Sequence, residues 1–434
     1  MSNALLLLVI LICTCPFMLL MVGGGTVDGV VAGIAAAGIA VISRAMRPGE
    51  LQFLMSIIRP AAVLATIPAL WLIIQLLPLG AIAHPIWASA EAAIGHPVAG
   101  SITVDFGRSI MALGLYLSAV ATALLSAAVT VDRRRAEWVL FTLMGATALI
   151  AFILLINDLA GLVFPNGARA LSERAQAIDC AAIGTIVSVA AAIRTLERYQ
   201  TRHSNTQRSH AALVWAFAAS FTALIACTVA LAVGATSATM IAVGYGYGAL
   251  IAVVIIRRLG LGPWGIAAIA VSAIVGLAVV LIASEPGLGK QDVALAFASP
   301  SPPGLTSASQ RILDDTAWTG TGAGTFAAIM PIYRDIDEPI VSTAPTAVAA
   351  LSIELGRPML WLIMAMLVGT IVVLLRAALR RGRDSFYSAA GAGCLIAILF
   401  LSFTNAGVLG SVTAIIAAAV LGLAFAQSKS RTVQ

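Results

Sequence analysis

The residues whose types and spacing can do chemistry crowd into one stretch, 311–358. Gly320-Thr321-Gly322-Ala323-Gly324-Thr325-Phe326 sets glycines at alternate positions, a spacing that lets backbone amides approach a ligand and cradle phosphate oxygens, or that simply makes a structural turn. It is not a P-loop, because no Gly-Lys-Ser/Thr follows, and no strand–helix–strand pattern surrounds it. Arg311, Arg334 and Arg357 share the stretch, and Arg169 and Arg174 lie in an earlier polar segment. A guanidinium pairs bidentately with a diphosphate, and equally with a carboxylate such as Asp314, Asp315, Asp335, Asp337 or Glu338. Glu354 precedes an apolar run, where a carboxylate is costly unless partnered. It can act as a general base toward a hydroxyl, or anchor the segment by pairing with an arginine. His84 and His96 are each followed by proline and read as turn residues. Cys13, Cys15, Cys180, Cys227 and Cys394 have no ligand-like spacing with histidine, so neither a metal nor a cofactor is expected.

The elements that must position these groups are apolar helices. Of 434 residues, 60% are hydrophobic and only 10% charged. A soluble domain carries roughly 25% charged residues, so this chain cannot cover a water-facing surface. The bilayer is its natural solvent, and runs of about twenty apolar residues predict helices and not a barrel. Twelve spans fit, at about 4–22, 27–43, 57–78, 109–130, 138–157, 178–194, 212–234, 238–256, 263–284, 359–376, 386–403 and 407–426. Residues 1–22 lack a basic leader before the apolar run and read as the first span. With the N-terminus inside, 18 of the 25 basic residues fall in inner loops, which supports an even helix number and two inner termini. The positive net charge therefore reports orientation, not nucleic-acid affinity. The outer side keeps Arg108, Arg169, Arg174, Lys290, Arg311, Arg334 and Arg357. The chain divides into nine helices over 1–284, a long outer loop over 285–358, and three helices with an inner tail over 359–434. Residues 79–108 and 158–177 form shorter outer loops.

Taken in order, the motifs resemble the O-antigen ligase and O-antigen polymerase (Wzy-type) superfamily. Arg311, then Trp318-Thr319-Gly320-Thr321-Gly322-Ala323-Gly324-Thr325-Phe326, then Tyr333, is similar to that family's arginine, glycine turn and tyrosine. Ala344 to Gly356 is similar to the run that precedes its next span. Gln75-Leu76-Leu77-Pro78-Leu79 and Ser101-Ile102-Thr103-Val104-Asp105 resemble earlier segments of the family. Pro345-Thr346 stand where the family has His-Asn, and no arginine accompanies Ser237. The resemblance implies an all-α polytopic protein of the bacterial inner membrane, with a long periplasmic loop between helices 9 and 10 and both termini cytoplasmic. It implies transfer of a glycan from an undecaprenyl-diphosphate carrier to an acceptor hydroxyl at the periplasmic face. Its partners would be that lipid-linked glycan, membrane lipid, and the flippase and chain-length regulator of the same pathway. Carried onto this chain, the catalytic candidates are Glu354 and Arg311, and the substrate-binding candidates are Arg174, Arg357, Arg169, Gly322, Gly324, Thr325 and Tyr333. Two other readings stand beside it. One is an inactive relative that binds or scaffolds the lipid-linked glycan. The other is a secondary transporter, which the scarcity of charge within the spans disfavours.

Overall fold

A computed structural model describes residues 2–20, 24–45, 48–160, 168–201, 207–259, 303–335, 343–380 and 384–429. Among these residues there is no strand. The helices are α1 (Ser2–Met18), α2 (Gly24–Ala45), α3 (Pro48–Leu76), α4 (Ile86–Ile94), α5 (Phe106–Val129), α6 (Arg133–Ala160), α7 (Ala168–Thr201), α8 (Gln207–Gly234) and α9 (Ser237–Leu259). After the undescribed segment follow α10 (Pro303–Asp315), α11 (Phe326–Tyr333), α12 (Ala347–Glu354), α13 (Arg357–Arg380), α14 (Ser385–Leu401) and α15 (Ser411–Ala426). Seven of the helices are long and apolar enough to cross a bilayer: those of Leu51–Leu76, Phe106–Val129, Arg133–Leu159, Leu171–Arg198, Leu213–Gly234, Ser237–Arg257 and Arg357–Arg380. The chain is a multi-pass membrane protein. The expected span at 263–284 lies outside the described residues.

One hydrophobic cluster unites α1, α2, α3, α5 to α9 and α13 to α15. Its centre is α14, where every residue but Leu399 is buried. Small residues allow this. A Cβ on Gly246 of α9 would stand 2.6 Å from the carbonyl oxygen of Gly393 on α14, so the two backbones touch. Close approach through glycine is how helices pack where lipid offers no hydrophobic drive. The opposite pattern holds at the periphery, where Val63, Leu70, Met111, Leu117, Phe152, Phe221 and Trp361 are exposed, as lipid-facing side chains are.

The end of the bundle with the basic loops is tied by ion pairs. Glu137 of α6 accepts from Arg194 and Arg198 of α7. Asp384, just before α14, pairs with Arg133 at 2.8 Å. These acids are 7% and 5% exposed, so their charge is met by protein and not by water.

The helices outrun the apolar runs that predict them. The expected outer loop at 158–177 is largely helix, because α6 continues to Ala160 and α7 begins at Ala168. Hydropathy marks the depth of hydrocarbon, whereas Arg, Glu, Gln and Ala are good helix formers that carry the backbone beyond it. Likewise the long loop is not bare coil. It holds α10, α11 and α12, packed around Leu305, Ile312, Phe326, Met330 and Ile353.

The α9–α14 contact gives a test. Gly246→Ala must force backbone from backbone, and overpacking of this kind costs about 1–3 kcal/mol. Thermal unfolding in detergent should show that loss, while Gly244→Ala, whose Cβ meets nothing within 4 Å, should leave the transition unchanged.

Candidate functional site

The glycine turn sits between α3, the N-terminus of α5 and the C-terminus of α12, and its backbone is stitched to all three. Gly320, Gly322, Gly324 and Gly356 have φ of +81°, +105°, +76° and +88°, a region that side chains with a Cβ rarely occupy. Space forbids a Cβ as well: on Gly322 it would lie 2.3 Å from Thr103 Oγ1, and on Gly356 2.0 Å from the Trp318 carbonyl oxygen.

Gln75 is the central side chain. It is wholly buried one residue before the end of α3. Its Nε2 donates to the carbonyls of Thr319 at 3.2 Å and Glu354 at 2.9 Å, and its Oε1 accepts from the Ala323 amide at 3.3 Å. One turn earlier, Trp71 Nε1 donates to the Leu355 carbonyl at 3.0 Å. From the other side, the Val104 amide donates to the Thr321 carbonyl at 2.9 Å, and Ser109 Oγ donates to the Ala323 carbonyl at 2.9 Å. Thr103 Oγ1 and Ser109 Oγ lie 2.6 Å apart and close this polar layer.

Glu354 anchors the turn through backbone amides and not through an arginine. Its Oε2 accepts from the Gly324 amide at 2.8 Å and its Oε1 from the Phe326 amide at 3.2 Å. Burial pushes its carboxyl up to about 7, against the two amide donors and the nearby Arg108 guanidinium, which pull it down. Each oxygen retains a second lone pair, and a carboxyl near neutrality is poised for proton transfer.

Of the two readings of the glycine stretch, the amides follow the structural turn. Those of Gly320, Gly322 and Gly324 are bonded to the Ala317 carbonyl, the Glu354 carbonyl and the Glu354 carboxylate. They face protein, so the turn is a fastening and not a phosphate cradle. Thr325 is also turned inward: its Oγ1 donates to the Gly322 carbonyl at 2.6 Å and lies 2.9 Å from Thr321 Oγ1.

The other expected residues are spread around this knot. Arg311 of α10 donates to the Tyr333 carbonyl at 2.6 Å and pairs with Asp335 at 3.3 Å, so it ties α10 to the end of α11. Burial and the Asp315 carboxylate raise the Tyr333 phenol above its usual range. Arg357, exposed at the first position of α13, reaches the Leu313 carbonyl at 3.4 Å. Arg174 stands apart from the turn, on α7, in a two-pronged pair with Asp158 of α6 at 3.1 and 3.2 Å. Arg169 lies in the first turn of α7, and its side chain is outside those described. Thr346 caps α12, accepting from the Ala349 amide at 3.1 Å. His84 Nδ1 accepts from the Ile86 amide at 3.3 Å, and burial lowers its basicity, which fits a turn residue. Among the described residues no group of histidine, cysteine, aspartate or glutamate is arranged to hold a metal ion.

Below the turn an apolar cleft of about 320 Å³ opens between α3, α5, α13 and α15. Its lining includes Pro68, Tyr116, Ala119, Ile363, Met366 and Leu421. Tyr116 and Ile363, which line the cleft, lie about two turns along α5 and α13 from Arg108 and Arg357. Sequence reasoning gave Gln75 and Thr103 no site role. The available signal was a lone amide closing an apolar run, whose partners lie far along the chain. No family model matches this chain, and no curated protein matches it.

Two expectations follow. Gln75→Leu strands two carbonyls and an amide, at about 1–3 kcal/mol for each orphaned group. It should make 303–335 sensitive to protease in membranes where the parent chain resists. The second concerns pH. Because the Glu354 carboxyl rises from 4.5 to about 7 on docking, the docked turn holds a proton between these values that the undocked one lacks. Docking therefore weakens as pH rises from 4.5 to about 7 and is level above that. Amide exchange across the turn should show that slope, and Glu354→Gln should remove it.

Proposed function

We propose that this chain is an O-antigen ligase/polymerase-like transferase of the bacterial inner membrane, with cytoplasmic termini, twelve spans and the 285–358 loop in the periplasm. It moves a glycan from an undecaprenyl-diphosphate-linked donor to an acceptor hydroxyl in surface or exopolysaccharide synthesis. The observation that supports this reading is that α3 and α5, to which the glycine-turn knot is bonded, also wall an apolar cleft. A polyprenyl tail belongs in such a cleft, and its diphosphate then meets Arg108 and Arg357 at the head. Arginine stabilises the departing diphosphate by fixed charge. Glu354, near neutrality and beside Arg108, is the base that takes the acceptor proton.

A second reading, a lipid-linked glycan binder without transferase activity, draws on a different observation. Arg174 and Arg311 are committed to Asp158 and Asp335, and Thr346 to its helix cap. The two readings part at Glu354.

The test uses a deletion strain complemented with point variants of equal membrane abundance. Glu354→Gln should abolish surface polymer, Arg311→Ala should reduce its yield by loosening the loop, and Ala119→Trp should block it by filling the cleft. Unchanged polymer from Glu354→Gln and Arg311→Ala sinks the transferase assignment. Loss on deletion with full rescue by Glu354→Gln favours the binder.

A further inference from the structure

Away from the glycine turn, α7 carries an acid that none of this chemistry uses. Asp179 lies within the span Leu171–Arg198 and is wholly buried. Its Oδ1 accepts from Asn405 Nδ2 at 3.0 Å. Its Oδ2 is buried with no hydrogen-bond partner, and one helical turn earlier Gln176 Oε1 is in the same condition. Both oxygens press on the short link between α14 and α15. A Cβ on Gly407 would lie 2.7 Å from Asp179 Oδ2, and one on Gly410 would lie 2.3 Å from Gln176 Oε1.

Two acceptors thus face one patch of backbone, and no cation among the described residues answers them. On α7, Arg174 is held by Asp158 of α6. Cys180 faces Thr413 of α15 at 3.6 Å, and Cys227 of α8 is near the Thr147 carbonyl. The α14–α15 link offers Thr404 and Asn405, which are neutral. The one titratable side chain of α12 is Glu354, engaged in the turn. An ionised carboxylate in apolar surroundings with a single neutral donor is strongly disfavoured. One proton resolves both orphans, since a carboxylic acid donates where a carboxylate only accepts.

We propose that Asp179 is a proton-binding site: it is neutral, its Oδ2–H donates to Gln176 Oε1, and that proton holds the α14–α15 link against α7. The consequence reaches the outer segment through Asn405. Its side chain carries Asp179, and its carbonyl accepts the Ala347 amide at 2.9 Å, which seats the N-terminus of α12. Loss of the proton sets a charge and an unpaired amide oxygen against the link and frees α12.

Infrared spectroscopy of the full chain in lipid reads the proton directly. In the Glu354→Gln background at neutral pH a protonated-carboxyl stretch should be present, and adding Asp179→Asn should remove it. Raising the pH until the band disappears should speed exchange of the amides at 344–350 by about tenfold over Asp179→Asn at the same pH, because asparagine keeps the donor. A band unaffected by Asp179→Asn overturns the proposal, since Asp179 is then ionised and met by a flipped Gln176 amide. Equal exchange in both proteins at high pH overturns the link to α12.

Discussion

The structure depends on one amide side chain in the wrong solvent. Gln75 sits at the end of an apolar helix, wholly buried, and its polar atoms have no water to turn to. Their demand is met by three backbone groups of the segment between α10 and α13, at Thr319, Ala323 and Glu354. The reverse also holds. The turn exposes carbonyls and amides that no helix or sheet satisfies, and without Gln75, Ser109 and the Glu354 carboxylate they would be orphaned at the membrane edge. Helix and loop are each unfinished without the other.

This mutual dependence explains why the site is a knot. Four glycines with positive φ bring backbone within reach of backbone, and the Gly322–Thr103 and Gly356–Trp318 contacts leave no space for a methyl group. Rigidity of that kind suits a platform over a cleft better than a lid. It fixes where Arg108, Arg357 and Glu354 stand relative to the apolar groove below, whatever chemistry they perform.

Much of the fold is legible in the sequence, because hydrocarbon imposes a simple rule on any segment that crosses it. The apolar runs locate the seven described helices that are long enough to cross a bilayer, and the expected long loop does contain the pieces the turn is made of. The ends were less legible: nothing in hydropathy says that α7 begins at Ala168, since backbone hydrogen bonding continues a helix past the lipid. At the site, the alternate glycines announce close backbone approach but not what is approached. The amides of Gly322 and Gly324 turned to Glu354 and not to a ligand. Arg174 reads as an outer cation, yet its partner Asp158 is on the preceding helix and absorbs it. Asp179 is a lone acid in an apolar run, and only the packing of Gly407 against it reveals that it is walled in.

The Gln75–Glu354 hydrogen bond also sets a clock. Its two ends are 279 residues apart. At synthesis rates of about 5–20 residues per second, Gln75 reaches the membrane on the order of 15–60 s before its partner exists. Through that interval α3 must hold an unsatisfied amide at the bilayer edge, where water or a lipid headgroup can serve it. A glutamine one residue from the helix end can wait there; the same residue at mid-span could not.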